Sequence, residues 1–211
     1  MLFRSVFIRS GIRFDYLVKD EDERFFKALV SDHVSGQLKV APEHCCNEVL
    51  GHMSKPAFEA YRKFNKRFYE ITKSINKKQY LVPYLMSSHP GCTLKHALAM
   101  ALFLKEEGIN PEQVQDFYPT PGTISTAMYY SGLDPYTLKP VYVPVGEEKA
   151  MQRALLQYNN PKNRALVIKA LTLLNRRDLI GYGKNQLVRP IGKGAKEQQT
   201  KKGKNIISKH K

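Results

Sequence analysis

A chain of 211 residues with a net charge of +15, 42% hydrophobic content, twelve Tyr and ten Phe can support one well-cored domain and is too aromatic to be disordered throughout. It has no apolar run of ~18 residues, no secretory leader in "MLFRSVFIRSG", and three cysteines of which two are adjacent. A membrane-spanning helix and a disulfide framework are thereby excluded, and the chain reads as cytoplasmic. More than half of the net charge sits in 184–211, where nine basic residues face one acid, Glu197, so the charge excess belongs mainly to a tail.

In chain order, "SVFIRSG" is a strand candidate from Ser5 to Gly11. Asp20 and Glu23 then read as a capping box opening a helix through Phe25, Phe26, Leu29 and Val30. "GQLKVAP" is a second strand, and Pro56 stands where the first turn of a helix tolerates proline. Phe58, Tyr61, Phe64, Phe68, Ile71 and Ile75 follow at steps of three and four, which predicts one apolar helical stripe. "QYLVPYLMS", Gln79 to Ser87, is a third strand, leading to a buried helix from Thr93 to Glu107 that Gly108 ends in a left-handed cap. "VQDFYPTPG" is a fourth strand with its exit loop. Alternating strands and helices imply parallel strands joined by right-handed crossovers, an open α/β sheet or a barrel.

Past Gly132 the pattern changes to a proline-rich wrapping segment and two short helices, one over Glu147 to Tyr158 and one from Pro161 after Asn160. The organisation expected is therefore 1–132 as α/β unit, 133–183 as helical C-terminal extension, and 184–211 as a disordered basic tail.

In parallel α/β architectures functional groups collect at the carboxyl ends of strands. Those ends read "RSGIR", "APEH", "SSHPG" and "YPTPGT". Each closes an apolar run with polar groups, and caps or turns are the competing explanation for any single one. His44, Cys45, Cys46 and His52, or His89, Cys92 and His96, offer metal-ligand chemistry. Vicinal side chains are expected to point apart, however, and neither C-x-x-C nor H-x-x-x-H occurs. No intrinsic metal site is expected. Nucleophile elbows, dinucleotide fingerprints and Walker loops are also missing from the sequence.

The strand ends resemble those of a known family. "VFIRSGIRFDYL", "HVSGQLKVAPEH", "KKQYLVPYLMSSHPGCT" and "QVQDFYPTPGTISTAMYYSGLDP" are similar to successive segments of YgiQ-type radical S-adenosylmethionine (radical SAM) proteins. "KPVYVP", "EKAMQRALLQYNNPKNRALV" and "RRDLIG" resemble that family's C-terminal extension, so the likeness runs from Val6 to about Gly183. There is a fainter similarity to radical methylthiotransferases. The resemblance implies a partial (β/α) barrel, here its last four parallel strands. S-adenosylmethionine would lie across the strand ends against a [4Fe-4S] cluster, and its one-electron reduction would yield a 5′-deoxyadenosyl radical acting on an unknown substrate. The cluster's C-x-x-x-C-x-x-C is not in this sequence, so its ligands are expected upstream and the chain reads as a catalytically incomplete fragment.

On this resemblance the cosubstrate-binding candidates are Ser10 and Arg13 at the first strand end, with Arg13 a partner for the methionine carboxylate. Glu43 and His44 follow at the second, Ser88 and His89 at the third, and Tyr118, Thr120 and Pro121 on the adenine side of the fourth. The alternative from another class is a non-catalytic RNA-binding module using the tail and the basic helix near Lys63, Lys66 and Arg67, with salt-steep, non-specific contacts. A stand-alone zinc protein is a third reading, resting only on the His and Cys positions.

Overall fold

The computed structural model describes residues 5–192. Their framework is a parallel sheet in the order β1 (Gln37–Glu43), β2 (Tyr80–Ser87), β3 (Gln115–Asp116). Around it stand α1 (Phe14–Leu17), α2 (Arg24–Ala28), α3 (Asn47–His52), α4 (Phe58–Ser74), α5 (Leu94–Glu106), α6 (Ile124–Ser131), α7 (Glu147–Leu156) and α8 (Arg164–Leu173). The α/β alternation with parallel strands is as the sequence pattern predicts. The strand count differs.

Residues 5–11 form no regular strand. They run extended beside β1, where Arg9 accepts a hydrogen bond from Lys39 N–H at 2.7 Å and Ile8 N–H donates to His33 at 2.8 Å. One bond into β1 does not make a ladder, and Val6 and Phe7 remain exposed. The fourth expected strand shrinks to the two residues of β3, extended by a 2.8 Å bond from Phe117 N–H to the Ser87 carbonyl.

The helix after Asp20 begins later than its capping box predicts. Asp20 accepts from Asp22 N–H in a local turn, and Glu23 turns to Arg67 and Lys27 instead of capping. With its carboxylate drawn onto α4, Glu23 marks the boundary, and α2 starts at Arg24 and passes into a π-helical turn, Leu29–His33. Pro56 likewise lies just ahead of α4, whose N-cap is Ala57.

The local signals of α5 hold well. Thr93 accepts from His96 N–H at the N-cap. Gly108, at φ +66°, closes the C-terminus with bonds from Gly108 N–H to Lys105 and from Ile109 N–H to Leu104, the two bonds of a Schellman motif.

Two apolar clusters hold the chain. In the first, α4 presents Phe58, Tyr61, Phe64, Phe68 and Ile71 to Phe14, Phe26, Leu29 and the inward residues Leu38 and Val40 of β1. Phe26 and Phe64 stack at 5.2 Å with their planes 3° apart, and each buried ring contributes ~1.5–3 kcal/mol. In the second, Met100, Ala101 and Leu104 of α5 pack with Leu85 of β2 and with Leu155, Leu156, Val167 and Leu171 of α7 and α8. The C-terminal helices are thus built onto α5. Leu187 and Val188 join the same cluster, and Val188 bridges to Ile180, so the structured part passes the expected limit at Gly183. The expected disorder from 193 to 211 lies outside the described residues.

Only one sheet face is packed. Leu38, Val40, Leu85 and Ser87 are buried, whereas Gln37, Lys39, Tyr80 and Tyr84 on the other face are exposed, with Lys39 Nζ 5.7 Å from the Tyr84 ring centre. Parallel sheets are ordinarily covered on both faces. Among the described residues no helix packs on this one: Val82 and Met86 are half-buried there, and the 109–113 segment borders a hollow shared with Gln37, Lys39 and Tyr84.

Candidate functional site

The carboxyl ends of β1 and β2 turn alike. A register shift between Val40 and Glu43 bends the end of β1, and Glu43 then takes a left-handed backbone at φ +63°. Immediately after β2, Ser88 does the same at φ +63°. Non-glycine residues adopt this conformation at a cost and concentrate at functional sites. In both cases the next residue is a histidine pointed inward: His44 and His89 are only 1% and 2% exposed.

Each imidazole has a defined set of partners. His44 Nδ1 accepts from Cys46 N–H at 3.0 Å, and its Nε2 lies 3.7 Å from Cys92 Sγ. His89 Nδ1 is 2.7 Å from the Pro90 carbonyl, which can only accept, so Nδ1 carries the proton. Its Nε2, 2.7 Å from Ser125 Oγ, is then the acceptor of the hydroxyl's proton. Burial lowers the His89 pKa to about 4, against the hydrogen bond to Pro90, which raises it, and so keeps this neutral tautomer. The ring edge rests on Phe117 at 5.1 Å.

The thiols sit at the same end. Cys45 Sγ and Cys46 Sγ are 3.8 Å apart, so these vicinal side chains converge where divergence was expected. The hydrogen bond with the Cys45 thiol, and then hydrogen bonding to His44, holds Cys46 below the usual thiol range against the opposing effect of burial. Its partner Cys45 is pushed well up, and burial raises Cys92 to about 12. Ligand atoms of His44, Cys45 and Cys46 all lie within 4.8 Å of one another. Next to them His96 Nε2 meets Glu48 Oε2 at 2.9 Å.

Two residues that sequence reasoning missed complete this end of the sheet. Gln152, fully buried on α7, accepts from Ser88 N–H at 3.2 Å and donates to the Cys92 carbonyl at 2.8 Å and to Glu148 at 3.1 Å. The C-terminal extension therefore clamps the site from below. Its signal in the sequence is a lone Gln on the face of α7 that carries Met151 and Leu155. Gly91, at φ +89°, lies so close to His52 that an added Cβ would stand 2.2 Å from the imidazole Cδ2. His52 itself reaches Asp134 at 3.9 Å.

The predicted cosubstrate residues divide into three groups. Glu43, His44, Ser88 and His89 are brought together at neighbouring strand ends, Glu43 being paired with Lys55 at 3.3 Å. Arg13 is set apart from them. Its guanidinium is held by Asp15 through bonds of 3.0 and 2.8 Å, lies 4.6 Å from the Tyr16 ring centre, and borders a hollow of 350 Å³ with Gly11, Tyr16 and Phe25. Ser10, just before it, is exposed. Tyr118, Thr120 and Pro121 lie on the exposed loop after β3, where the Thr120 carbonyl accepts from Thr123 and Thr126. On the basic helix, Arg67 is neutralised by Glu23 and Glu70, which thins the positive face an RNA reading needs.

Three thiolates would be needed for a [4Fe-4S] cluster. Cys45 and Cys46 stand together, but Cys92 is buried against His44 and takes no part in their convergence, so this chain's thiols do not fit that group.

The class of protein so defined is a parallel α/β protein with a His- and Cys-bearing strand-end site. Comparison with known proteins then identifies the family. The chain is 55% identical over 95% of its length to a UPF0313 protein of Clostridium perfringens strain ATCC 13124, and equally similar to one from strain 13. It is 52% identical over 99% of its length to a UPF0313 protein of Clostridium botulinum strain 657. Residues 112–210 match the model of a domain of unknown function, DUF3362. The chain belongs to the UPF0313 family, the YgiQ-type proteins. It spans about a third of the length of these curated relatives, 31% and 36%, and is consistent with a C-terminal portion of such a protein. No solved structure matches it. Among the described residues no helix is long and apolar enough to cross a membrane.

Proposed function

We propose that this chain is the C-terminal portion of a radical SAM enzyme. In this reading its sheet is part of the wall of a partial (β/α) barrel, and Glu43, His44, Ser88 and His89 border the S-adenosylmethionine cleft. The observation that carries the reading is the uncovered sheet face. A parallel sheet with helices on one side and Gln37, Lys39 and Tyr84 open on the other is what a barrel wall looks like from inside. The sequence resemblance supplies the reaction class, and the buried, internally bonded strand ends supply rigid positions for a ligand. Left-handed backbone at Glu43 and Ser88 marks both strand ends, Glu43 still in register with Leu85 and the Ser88 amide donating to Gln152.

The iron–sulfur chemistry falls to residues this chain does not carry. Anaerobic iron and sulfide treatment of the chain alone is expected to give no stoichiometric cluster and no 5′-deoxyadenosine. The class itself is tested by a chimera in which the chain replaces the matching third of the C. perfringens protein. Cluster assembly with reductive cleavage of S-adenosylmethionine supports the reading. An inert chimera beside an active parent rejects it, as does a parent without that activity.

A further inference from the structure

The thiol pair of the β1–α3 turn has a geometry that neither strand capping nor core packing requires. Cys46 is the N-cap of α3 with an extended backbone, φ −97° and ψ 123°, and its side chain accepts no cap bond. The turn nevertheless brings Cys45 Sγ and Cys46 Sγ to 3.8 Å. A disulfide would need ~2.05 Å between the sulfurs. Two thiolates on one tetrahedral ion, at bond lengths of ~2.3 Å, stand ~3.8 Å apart. The observed separation matches that chelating distance, and in the metal-free chain a thiol–thiol hydrogen bond holds it there.

His44 supplies the third ligand. Its ring is buried, and its ligating atom lies with both sulfurs inside the 4.8 Å set. In tetrahedral geometry an imidazole nitrogen and a thiolate stand ~3.6 Å apart, so closure asks for a movement of about 1 Å. Ligation costs the ring one contact: Nδ1 would give up Cys46 N–H, or Nε2 the Cys92 thiol. His96, held by Glu48, and Cys92, outside the convergent set, are not ligands. With both cysteines only half-buried, the fourth position is open to solvent or to an incoming donor.

We propose that His44, Cys45 and Cys46 form a three-ligand site for a thiophilic divalent cation of the zinc class. Three protein ligands with an open fourth position are the arrangement of reactive rather than purely structural zinc. The site uses only residues of this chain and stands whether or not the radical SAM reading does.

The test is titration of the reduced, chelator-washed chain with Co(II) under anaerobic conditions, followed by displacement with Zn(II). One equivalent is expected to bind with the visible bands of tetrahedral cobalt and a sulfur-to-cobalt charge-transfer band in the near ultraviolet. Zn(II) should then abolish both. Cys45→Ser and Cys46→Ser should each weaken Zn(II) binding about tenfold or more, on the scale of ligand-shell losses, while Cys92→Ser stays near wild type. Cobalt bound without the charge-transfer band, or not bound, overturns the proposal on the unmodified chain, independently of any variant's folding. So does a folded Cys45→Ser/Cys46→Ser double variant that keeps wild-type affinity.

Discussion

His89 is buried as a neutral ring, and its protonation has a predictable effect on stability. Its folded pKa of about 4 lies below the ordinary 6.5 of imidazole. Between these two values the unfolded chain binds a proton that the folded chain refuses, so stability falls as pH drops from 6.5 towards 4 and levels off below. The slope approaches 1.4 kcal/mol per pH unit and the total for this one group reaches about 3 kcal/mol. Urea unfolding at pH 7 and at pH 4.5 measures the drop. His89→Gln, which cannot titrate, should show a flatter profile over the same interval, and an unchanged profile would remove His89 as the cause. Close by, Gly91→Ala meets two penalties: a left-handed backbone, costing about 1–2 kcal/mol, and a 2.2 Å clash with His52. Adding His52→Ala to Gly91→Ala should recover the steric share and leave the backbone share. A double-mutant cycle without coupling would mean the chain relieves the clash by moving elsewhere.

At the level of elements, α7 holds the site as much as it fills the core. Gln152→Met keeps the volume but leaves the Ser88 amide and the Cys92 carbonyl without partners in a buried place, at about 1–3 kcal/mol for each group. A loss of less than about 1 kcal/mol in chemical unfolding would show that water replaces the amide. This contact also marks how far the sequence can be read. The α4 stripe, the Thr93 cap and the Gly108 terminus depend on neighbours within one or two turns, and all three were legible. Gln152 meets Ser88 across 64 positions, and no local pattern announces such a pairing. Glu23 was misassigned for the same reason, since its partner Arg67 lies 44 positions away. The convergence of Cys45 and Cys46 was missed although they are adjacent. It comes from the bulged end of β1 and the backbone of the turn, which sequence spacing does not encode.

At the scale of the whole molecule, the sheet has, among the described residues, one well-packed face and one largely open face, and alternate residues along β2 should report it. Leu85 faces the α5–α7 cluster at 4% exposure, while its neighbour Tyr84 stands 44% exposed on the open face. Leu85→Ala is expected to cost 2–5 kcal/mol as a core truncation, whereas Tyr84→Ala should change stability by no more than about 0.5 kcal/mol. In the chimera with the C. perfringens protein the order should reverse for function. Tyr84→Ala and Lys39→Ala would depress cleavage of S-adenosylmethionine without loosening the fold, because an inward barrel face touches ligand rather than helices. If both substitutions leave cleavage at the chimera's own rate while Leu85→Ala unfolds it, the bare face is mere surface. The barrel reading then loses the observation on which it rests. If instead Tyr84→Ala destabilises the chimera as strongly as Leu85→Ala, the rest of the protein packs that face as core, and the cleft must be sought at the strand ends alone.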